Sequence, residues 1–460
     1  MVIGDKDGNA LEATTRFHPV TNEVNAEKEP LKTCPATKNA SDFPESFHEG
    51  RYGWVVVVAS FFGQFMFPLC LSTYGLFHVV LVEQLGRSRG ETALVGSVTY
   101  LFTAGAGPLS SFLCNLIGHR CTCILGSVLA AAGYLISAFS SSFELLFFSY
   151  GCLIGTGICL QLVPTMVLVQ FYFEKRRALA ISIVRTGSGV GSLVLPPIVQ
   201  LLIDEYSWRG AMILLAGFAL QGCVIGALLR PNAKLNVSKS NRQRRSFAEN
   251  VISTFDFFKD SRLLIWLFVQ FSEGLHAVMF FYLLPDRVIG FGFTADQAAF
   301  LLFLTGISST LLRLVTGVLT NRFHLSSIVQ YGCAFLLMST SHFVLMLSSL
   351  SYGVLVVMSL VFGVGSGIGT CNLTLLMLQL FGIHRATIAL GWVMLAEGIG
   401  GFIGPPVGGA IFDMTGSYTH SFLLSGAFAV AASAFTIPVF IIHRYKFKTT
   451  NSYQLDEQSR

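Results

Sequence analysis

The chain of 460 residues has little charge, since Asp, Glu, Lys and Arg together make up 12% of it. Soluble domains carry about 25% charged residues, and a soluble protein of this size needs them to cover its surface. This shortage excludes a water-soluble enzyme. Hydrophobic residues make up 53%, with a mean hydropathy of +0.64, and the 41 Phe and 45 Gly suit lipid-facing and closely packed helices. The composition predicts a helical membrane protein.

Cofactor and metal motifs are also lacking. The ten Cys include no paired Cys-x-x-Cys arrangement, so neither a zinc site nor a disulfide framework is expected. Gly187–Gly191 and Gly363–Gly369 resemble phosphate loops only as strings, because both lie in apolar helices with no preceding strand. No nucleophile–base pair stands at a suitable spacing for an enzyme. The excess of 30 Lys and Arg over 25 Asp and Glu is too small to indicate nucleic acid.

Long apolar runs dominate what remains. A membrane-spanning helix needs about 20 mostly apolar residues, and the chain has twelve such segments. They cover roughly 54–80, 92–112, 121–140, 146–170, 178–203, 208–230, 262–284, 296–320, 326–348, 352–380, 386–411 and 420–442. Alternation at strand period is absent, which disfavours a β-barrel. The predicted fold is an all-α membrane protein with twelve transmembrane helices.

The distribution of basic residues predicts the orientation. Of the 30 Lys and Arg, fourteen lie in the segments after the even-numbered spans, four in the opposite loops and ten in the two tails. Because basic loops stay on the cytoplasmic side, both termini are expected in the cytosol. The first 52 residues lack the layout of a cleaved signal peptide. Two basic residues remain inside predicted spans, Arg185 and Arg313.

The spans divide six and six around a basic middle segment. The predicted parts are a disordered cytosolic tail (1–52), an N-terminal six-helix bundle (53–230), a cytosolic linker (231–261), a C-terminal six-helix bundle (262–442) and a cytosolic tail (443–460). This outline is that of the major facilitator fold, which places its substrate site near the midplane between the halves. Similar glycine-to-arginine motifs after spans two and eight, at 107–120 and 317–322, support the repeat.

Away from the span ends, four charged residues lie within the membrane interior: Arg185, Glu273, Arg313 and Glu397. Such residues are costly in a bilayer and normally face a cavity or the bundle interior. At 1.5 Å per residue the two glutamates lie about 16 Å, and Arg313 about 10 Å, from the cytosolic ends of their spans. Arg313 can bind a carboxylate through two hydrogen bonds; its alternative is a structural salt bridge to either glutamate. For Arg185 a structural role is favoured, with its head directed toward the cytosolic cluster 174–177.

The two glutamates and two histidines are candidates for proton coupling or for intramembrane pairing. A buried carboxyl group that lacks a partner can carry a proton, and structural pairing is the alternative for Glu273 and Glu397. His276 follows Glu273 by three residues and shares its helix face. His78 and His276 can titrate near neutrality, although a membrane histidine is more often a hydrogen-bonded core residue.

Two uncharged residues, Tyr74 and Asn372, are further candidates for substrate contact at the cavity wall.

Four stretches carry a family signature. They are Glu49–Val56 at the entry to span one, Phe171–Ala180 at the start of span five, Tyr206–Gly210 before span six, and Gly404–Phe422 between spans eleven and twelve. Together they resemble the signature motifs of the monocarboxylate transporter family. The resemblance extends over about 51–445, which is nearly all of the chain except its tails.

The resemblance implies a carrier of small organic solutes, best known for moving lactate and pyruvate with a proton. In proton-coupled members an arginine in span eight binds the carboxylate, and Arg313 matches it. Those members also have an Asp one turn earlier and a Lys after Phe-Pro in span one, where this chain has Ser309 and Leu69. Both departures remove groups used in proton coupling. They resemble divergent members, several of which carry creatine, carnitine, thyroid hormone or aromatic amino acids.

The sequence therefore predicts a plasma-membrane secondary carrier that moves a monocarboxylate or related metabolite by alternating access, with proton symport left open. Two alternatives remain: a facilitative carrier for a neutral or zwitterionic solute, and a non-transporting membrane sensor or scaffold. The resemblance also implies a single-span immunoglobulin-like glycoprotein as an ancillary partner.

Overall fold

The computed structural model describes residues 51–71, 74, 76–77, 80–81, 89–140, 142–230, 258, 260–323, 325–347, 350–382 and 385–458. Most of the predicted N-terminal tail and of the linker lies outside these residues, as does His78. The bundle boundaries predicted from the sequence therefore remain predictions.

The described part of the N-terminal half is helical. Its helices are α1 (Arg51–Phe65), α2 (Pro68–Leu71), α3 (Arg89–Gly105), α4 (Gly107–Leu116), α5 (His119–Ala138), α6 (Phe143–Leu146), a π-helical stretch (Phe147–Ile154), α7 (Gly155–Tyr172), α8 (Arg177–Ala219) and α9 (Gln221–Leu228). Helix α8 contains two spans, because the backbone breaks at Ser207 with φ 59° and ψ 169°. This break falls between predicted spans five and six.

The C-terminal half has six long helices, which correspond to predicted spans seven to twelve. They are α10 (Ser261–Gly290), α11 (Ala295–Phe323), α12 (Ser327–Leu345), α13 (Tyr352–Phe381), α14 (Ala386–Thr415) and α15 (Thr419–Gln458). The Asp260 side chain caps α10 by accepting a hydrogen bond from the backbone N–H of Arg262. Gly416 ends α14 in the left-handed conformation, with φ 67°.

Within the part of the chain that the structure describes, nine helices are long and apolar enough to cross a membrane. One of them, Arg177–Leu228, has 52 residues and carries two spans, since it contains the break at Ser207. Spans one and two are built from shorter helical pieces, α1 with α2 and α3 with α4. The architecture thus agrees with twelve transmembrane helices in two bundles of six.

One contact between the two halves lies where α4 packs on α14. We call the end of the molecule at which α9 ends and α10 begins the linker end. Near it, the Ser111 hydroxyl donates to the Thr387 carbonyl at 2.7 Å. A Cβ atom added to Gly107 would overlap the carbonyl oxygen of Gly391, so the two backbones are in direct contact there.

Helices α8 and α11 form the second contact between the halves. A Cβ on Gly317 would overlap Ser182, and a Cβ on Gly189 would overlap Thr310. Further from the linker end, the glycines of α14 no longer face the N-terminal half: Gly404 and Gly408 pack against α10 of their own bundle. The described contacts between the halves thus run from the linker end to mid-depth, and the structure is closed at the linker end.

Candidate functional site

Arg313 lies at the contact between the halves. Its Nη1 donates to the carbonyl oxygen of Arg185 at 2.9 Å and to the hydroxyl of Ser188 at 2.6 Å. Its Nε is buried without a hydrogen-bond partner among the described residues, and Nη2 donates to none of them either. One edge of the guanidinium therefore bonds to the other half of the protein, while the Nε–Nη2 edge can donate hydrogen bonds to two oxygen atoms. Because α11 extends to Phe323, Arg313 lies about 15 Å from its end, deeper than predicted.

The predicted alternative for Arg313 was a salt bridge to Glu273 or Glu397. No carboxylate of the described residues lies within 4.0 Å of its guanidinium. Instead Arg185 is its charged neighbour, and the two like charges repel. An arginine in this position carries a positive charge that the described side chains do not balance.

Arg185 crosses between the halves in the opposite sense. Its side chain is 9% exposed, and its Nη2 donates to the hydroxyl of Thr374 on α13 at 3.1 Å. The guanidinium thus contacts the C-terminal half rather than the cluster at 174–177. Arg185 also interacts electrostatically with Glu397, so this glutamate is the counter-charge for Arg185.

Glu397 is held by polar groups from both halves. The Tyr100 hydroxyl on α3 donates to its Oε1, and the Gln270 amide on α10 donates to its Oε2, each over a long distance of 3.5 Å. The Tyr331 hydroxyl on α12 in turn donates to Oε1, the side-chain amide oxygen of Gln270, at 2.5 Å. The two donors and the nearby Arg185 offset part of the cost of burying a charge on Glu397.

Glu273 lies beside Glu397 because α10 and α14 cross at glycines. A Cβ on Gly274 would overlap the carbonyl oxygen of Glu397, and a Cβ on Gly400 would overlap that of Phe271. This close crossing brings the two carboxyl groups near enough to repel each other. Glu273 Oε2 faces His276 Nε2 at 3.8 Å, and accepts no hydrogen bond from the described residues.

The remaining predicted site residues lie elsewhere. Tyr74 is 6% exposed and packs on the Tyr150 ring inside the N-terminal half, with centroids 5.2 Å apart. Asn372 is fully buried; its amide donates to the Ile368 carbonyl at 2.9 Å and to Gln330 at 3.4 Å. It therefore faces α12, and it makes no hydrogen bond to any of the four charged residues. His78 lies outside the described residues.

Several residues that surround the four charged residues and His276 were not identified from the sequence. They are Tyr100, Ser188, Gln270, Tyr331, Thr374 and His342, whose ring lies beside that of His276. Gln270 carried a readable signal, since it is an amide in an apolar stretch one turn before Glu273. His342 falls inside predicted span nine, so the criterion that selected His276 selects it as well. The hydroxyl groups gave no signal, because serine, threonine and tyrosine are frequent throughout the spans.

Comparison with known proteins defines the class to which this fold and site belong. Residues 60–405 match the Major Facilitator Superfamily. The crystal structure of the human organic anion transporter MFSD10 (TETRAN) aligns with a TM-score of 0.64 at 15% identity, covering 84% of this chain and 99% of that one. The proton:xylose symporter XylE also gives 0.64, at 14% identity, covering 85% and 96%. The fold is that of a major facilitator transporter.

The sequence relatives are more specific. Monocarboxylate transporter 12 of Xenopus laevis is 30% identical over 420 residues, covering 86% of this chain and 91% of the relative. Monocarboxylate transporter 4 of Gallus gallus is 30% identical over 388 residues, covering 82% and 80%. The chain belongs to the monocarboxylate transporter family of the major facilitator superfamily. The family and the fold predicted from the sequence are confirmed, and the protein is a membrane transporter and not an enzyme.

Proposed function

We propose that this transporter moves a small monocarboxylate, or a related metabolite with a carboxylate group, and that Arg313 binds that group. The observation that carries the proposal is the Nε–Nη2 edge of Arg313, which makes no hydrogen bond with the described residues. A carboxylate matches this edge with two parallel hydrogen bonds. The printed names of the relatives, monocarboxylate transporters 4 and 12, support the same substrate class.

The charge of the site gives the substrate its effect on the transport cycle. Arg313 is repelled by Arg185, and an unbalanced charge in a membrane protein interior is costly. A bound carboxylate removes this cost. Nη1 of Arg313 also donates hydrogen bonds to the Arg185 carbonyl and the Ser188 hydroxyl of the other half. A bound carboxylate neutralises the guanidinium and so weakens these two hydrogen bonds. Substrate binding thereby favours rearrangement of the two halves.

The orientation follows from the basic loops. The protein lies in the plasma membrane with both termini in the cytosol. The linker end then faces the cytosol, and the structure is closed on the cytosolic side. Alternating access then proceeds by rocking the two bundles about the site. An ancillary single-span immunoglobulin-like glycoprotein is part of this proposal, as a condition for delivery to the cell surface.

The test is uptake of radiolabelled lactate, pyruvate, creatine, carnitine and tryptophan by cells that express the chain, with and without an ancillary glycoprotein. Each solute is measured in acidic and neutral baths. Arg313→Gln is expected to abolish carboxylate uptake at unchanged surface expression. Arg313→Lys keeps the positive charge but loses one of the two parallel hydrogen bonds to the carboxylate. This loss weakens substrate binding by about 1.5–3 kcal/mol, and uptake is expected to fall at least about tenfold.

Arg322→Gln is the matched control, because Arg322 is on the same helix but exposed at its linker end. This variant is expected to transport normally. Normal uptake by Arg313→Gln would show that Arg313 is structural and that the proposal is wrong. Saturable uptake of a neutral solute, independent of bath pH, would instead assign a facilitative carrier. Binding without flux would assign a sensor.

A further inference from the structure

Two buried polar atoms face each other inside the C-terminal half. They are Oε2 of Glu273 and Nε2 of His276, which lie 3.8 Å apart on one face of α10. Neither atom has a hydrogen-bond partner among the described residues. Buried polar atoms without partners are rare, because leaving one unsatisfied costs free energy. The pairing of two such atoms therefore calls for an explanation.

The tautomer of His276 can be read from its other nitrogen. Nδ1 lies 2.7 Å from the carbonyl oxygen of Ser272, and a carbonyl oxygen only accepts, so Nδ1 carries a hydrogen. In the neutral ring Nε2 is then an acceptor. An ionised Glu273 also only accepts, so two acceptors would face each other and repel. One proton between them satisfies both atoms. The distance exceeds that of a hydrogen bond by about 1 Å, which side-chain rotation closes.

The surroundings close the pair off on one side only. His276 is completely buried, with Phe335 at 5.3 Å and His342 at 5.6 Å between ring centroids. The Glu273 side chain is 15% exposed and lies beside Glu397. A proton can therefore enter or leave this pair through Glu273 and not through the aromatic interior behind His276.

The other titratable groups that act on the pair come from three helices. Glu397 on α14 and Tyr331 on α12 interact with Glu273, as does Tyr100 on α3; His342 on α12 faces His276. None of these is a cation fixed beside Glu273. Arg185 is matched by Glu397, which also has two hydrogen-bond donors. Of the two neighbouring carboxyl groups, Glu273 gains more by being neutral, because it has neither a donor nor a cation among the described residues to stabilise its charge.

We propose that Glu273 and His276 form a dyad that holds one proton, bonded to Glu273 Oε2 and donated to His276 Nε2. Resting on the function proposed above, the dyad couples carboxylate binding to a proton. With the proton bound, the charges of Arg185, Arg313 and Glu397 sum to one positive charge, which one carboxylate neutralises. Without it, Glu273 adds a second negative charge and the site no longer favours an anion. The proton comes from water on one side, travels with the substrate and returns to water on the other.

The proton itself is tested by infrared difference spectroscopy on the purified full-length protein in lipid bilayers, between neutral and alkaline buffers. Exposed carboxylates stay ionised over this range, so they give no signal. The expected result is a carbonyl-stretch band of one protonated carboxylic acid, shifted in heavy water and lost in alkaline buffer. The band is absent in Glu273→Gln and present in Asp286→Asn, a control at an exposed carboxylate of the same helix.

A wild-type protein without the band, or a band that survives Glu273→Gln, overturns the dyad. Folding is checked by the melting temperature, which is expected to stay unchanged in Glu273→Gln because a glutamine amide can also donate to His276 Nε2. In His276→Phe the acid loses its acceptor, so the band is expected to shift to higher frequency. A band that does not move in this variant also contradicts the pairing.

Coupling is tested by the binding of radiolabelled pyruvate at several pH values. On the alkaline side the wild-type affinity is expected to fall about tenfold for each pH unit, as when binding requires one proton, while Glu273→Gln binds without this dependence. Equal slopes in both proteins refute the coupling. Absence of pyruvate binding in every protein would count against the proposed substrate class, whereas the infrared band tests the dyad in either case.

Discussion

Gly107 offers a direct test of the closed linker end. A Cβ atom there would overlap the carbonyl oxygen of Gly391 and lie 3.0 Å from the Cβ of Met394. The first of these is backbone of the opposite half and cannot rotate away. An ordinary contact between carbon and carbonyl oxygen is about 3.3–3.6 Å, so α4 and α14 must separate by about 1 Å in Gly107→Ala.

The size of the effect follows from the cost of overpacking. Inserting a methyl group into a packed interface costs about 1–3 kcal/mol. This cost falls on the state closed at the linker end, since the two backbones part when that end opens. The population of the open state is therefore expected to rise by about 5- to 150-fold relative to the closed one.

The assay uses the thiol of Cys371, which is 1% exposed and lies at the contact of α8 and α11, 3.4 Å from the Arg313 carbonyl. Its labelling by a small charged maleimide, added from the linker side of sealed vesicles, is measured by site-resolved mass spectrometry. Labelling is expected to accelerate in Gly107→Ala, while that of the exposed Cys121 stays constant as an internal reference.

Gly105→Ala is the control, because a Cβ there meets the side chains of Leu395 and Leu101 at ordinary distances of 3.5 Å and 3.6 Å. It is expected to label at the wild-type rate. An unchanged rate in Gly107→Ala, or an equal increase in Gly105→Ala, would refute the reading of α4 and α14 as the closed contact.

Two smaller predictions concern the ends of the C-terminal helices and can be checked by thermal melting of the purified protein. Asp260→Ala is expected to cost about 1 kcal/mol, because it removes the cap of α10 and the ion pair with Arg262; no loss would mean that the cap is dispensable. At the opposite end the Tyr418 hydroxyl donates to Asp286 at 3.2 Å, and Tyr418→Phe is expected to cost about 0.5–1.5 kcal/mol. Partial burial and the Asp286 carboxylate raise the pKa of Tyr418 from 10.0 to about 12, so this contribution is complete below pH 10 and is lost as the pH rises past about 12. A loss near neutral pH would contradict it.

The fold could be predicted well from the sequence because each span is a local property. Twenty apolar residues in a row leave a chain few options in lipid, and the positions of α10 to α14 follow the hydropathy closely. The break at Ser207 was harder to read, since nothing in the residue type requires a positive φ there. The ends of the helices were also harder to predict than their middles, because a helix can continue beyond the lipid. The extension of α11 to Phe323 placed Arg313 deeper than the predicted span end did.

The partners of the charged residues could not be predicted, although the residues themselves could. Hydropathy identified Arg185, Arg313, Glu273 and Glu397 because charge is rare inside the spans. Which of them meet depends on how helices distant in sequence cross. Glycines at a crossing can be recognised as small, but the sequence does not show that Gly274 faces the backbone of Glu397. The structure was therefore needed to show that Arg313 makes no salt bridge to either glutamate and keeps its Nε–Nη2 edge without a hydrogen bond to the described residues.

The contacts that close the linker end have a consequence for how the sequence can vary in evolution. Arg313 bonds to the backbone carbonyl of Arg185, and Ser111 bonds to that of Thr387. A backbone carbonyl is present whatever the side chain, so substitutions at these two acceptor positions leave the bonds available, whereas changes at the donors remove them. We expect relatives to share Ser111 more faithfully than the residue at 387, whereas Arg185 has its own side-chain bond to Thr374 and is expected to vary as little as Arg313. Covariation between positions would not reveal these two contacts. In each hydrogen bond the acceptor is a backbone carbonyl, so the side chain at the acceptor position is not selected for the contact.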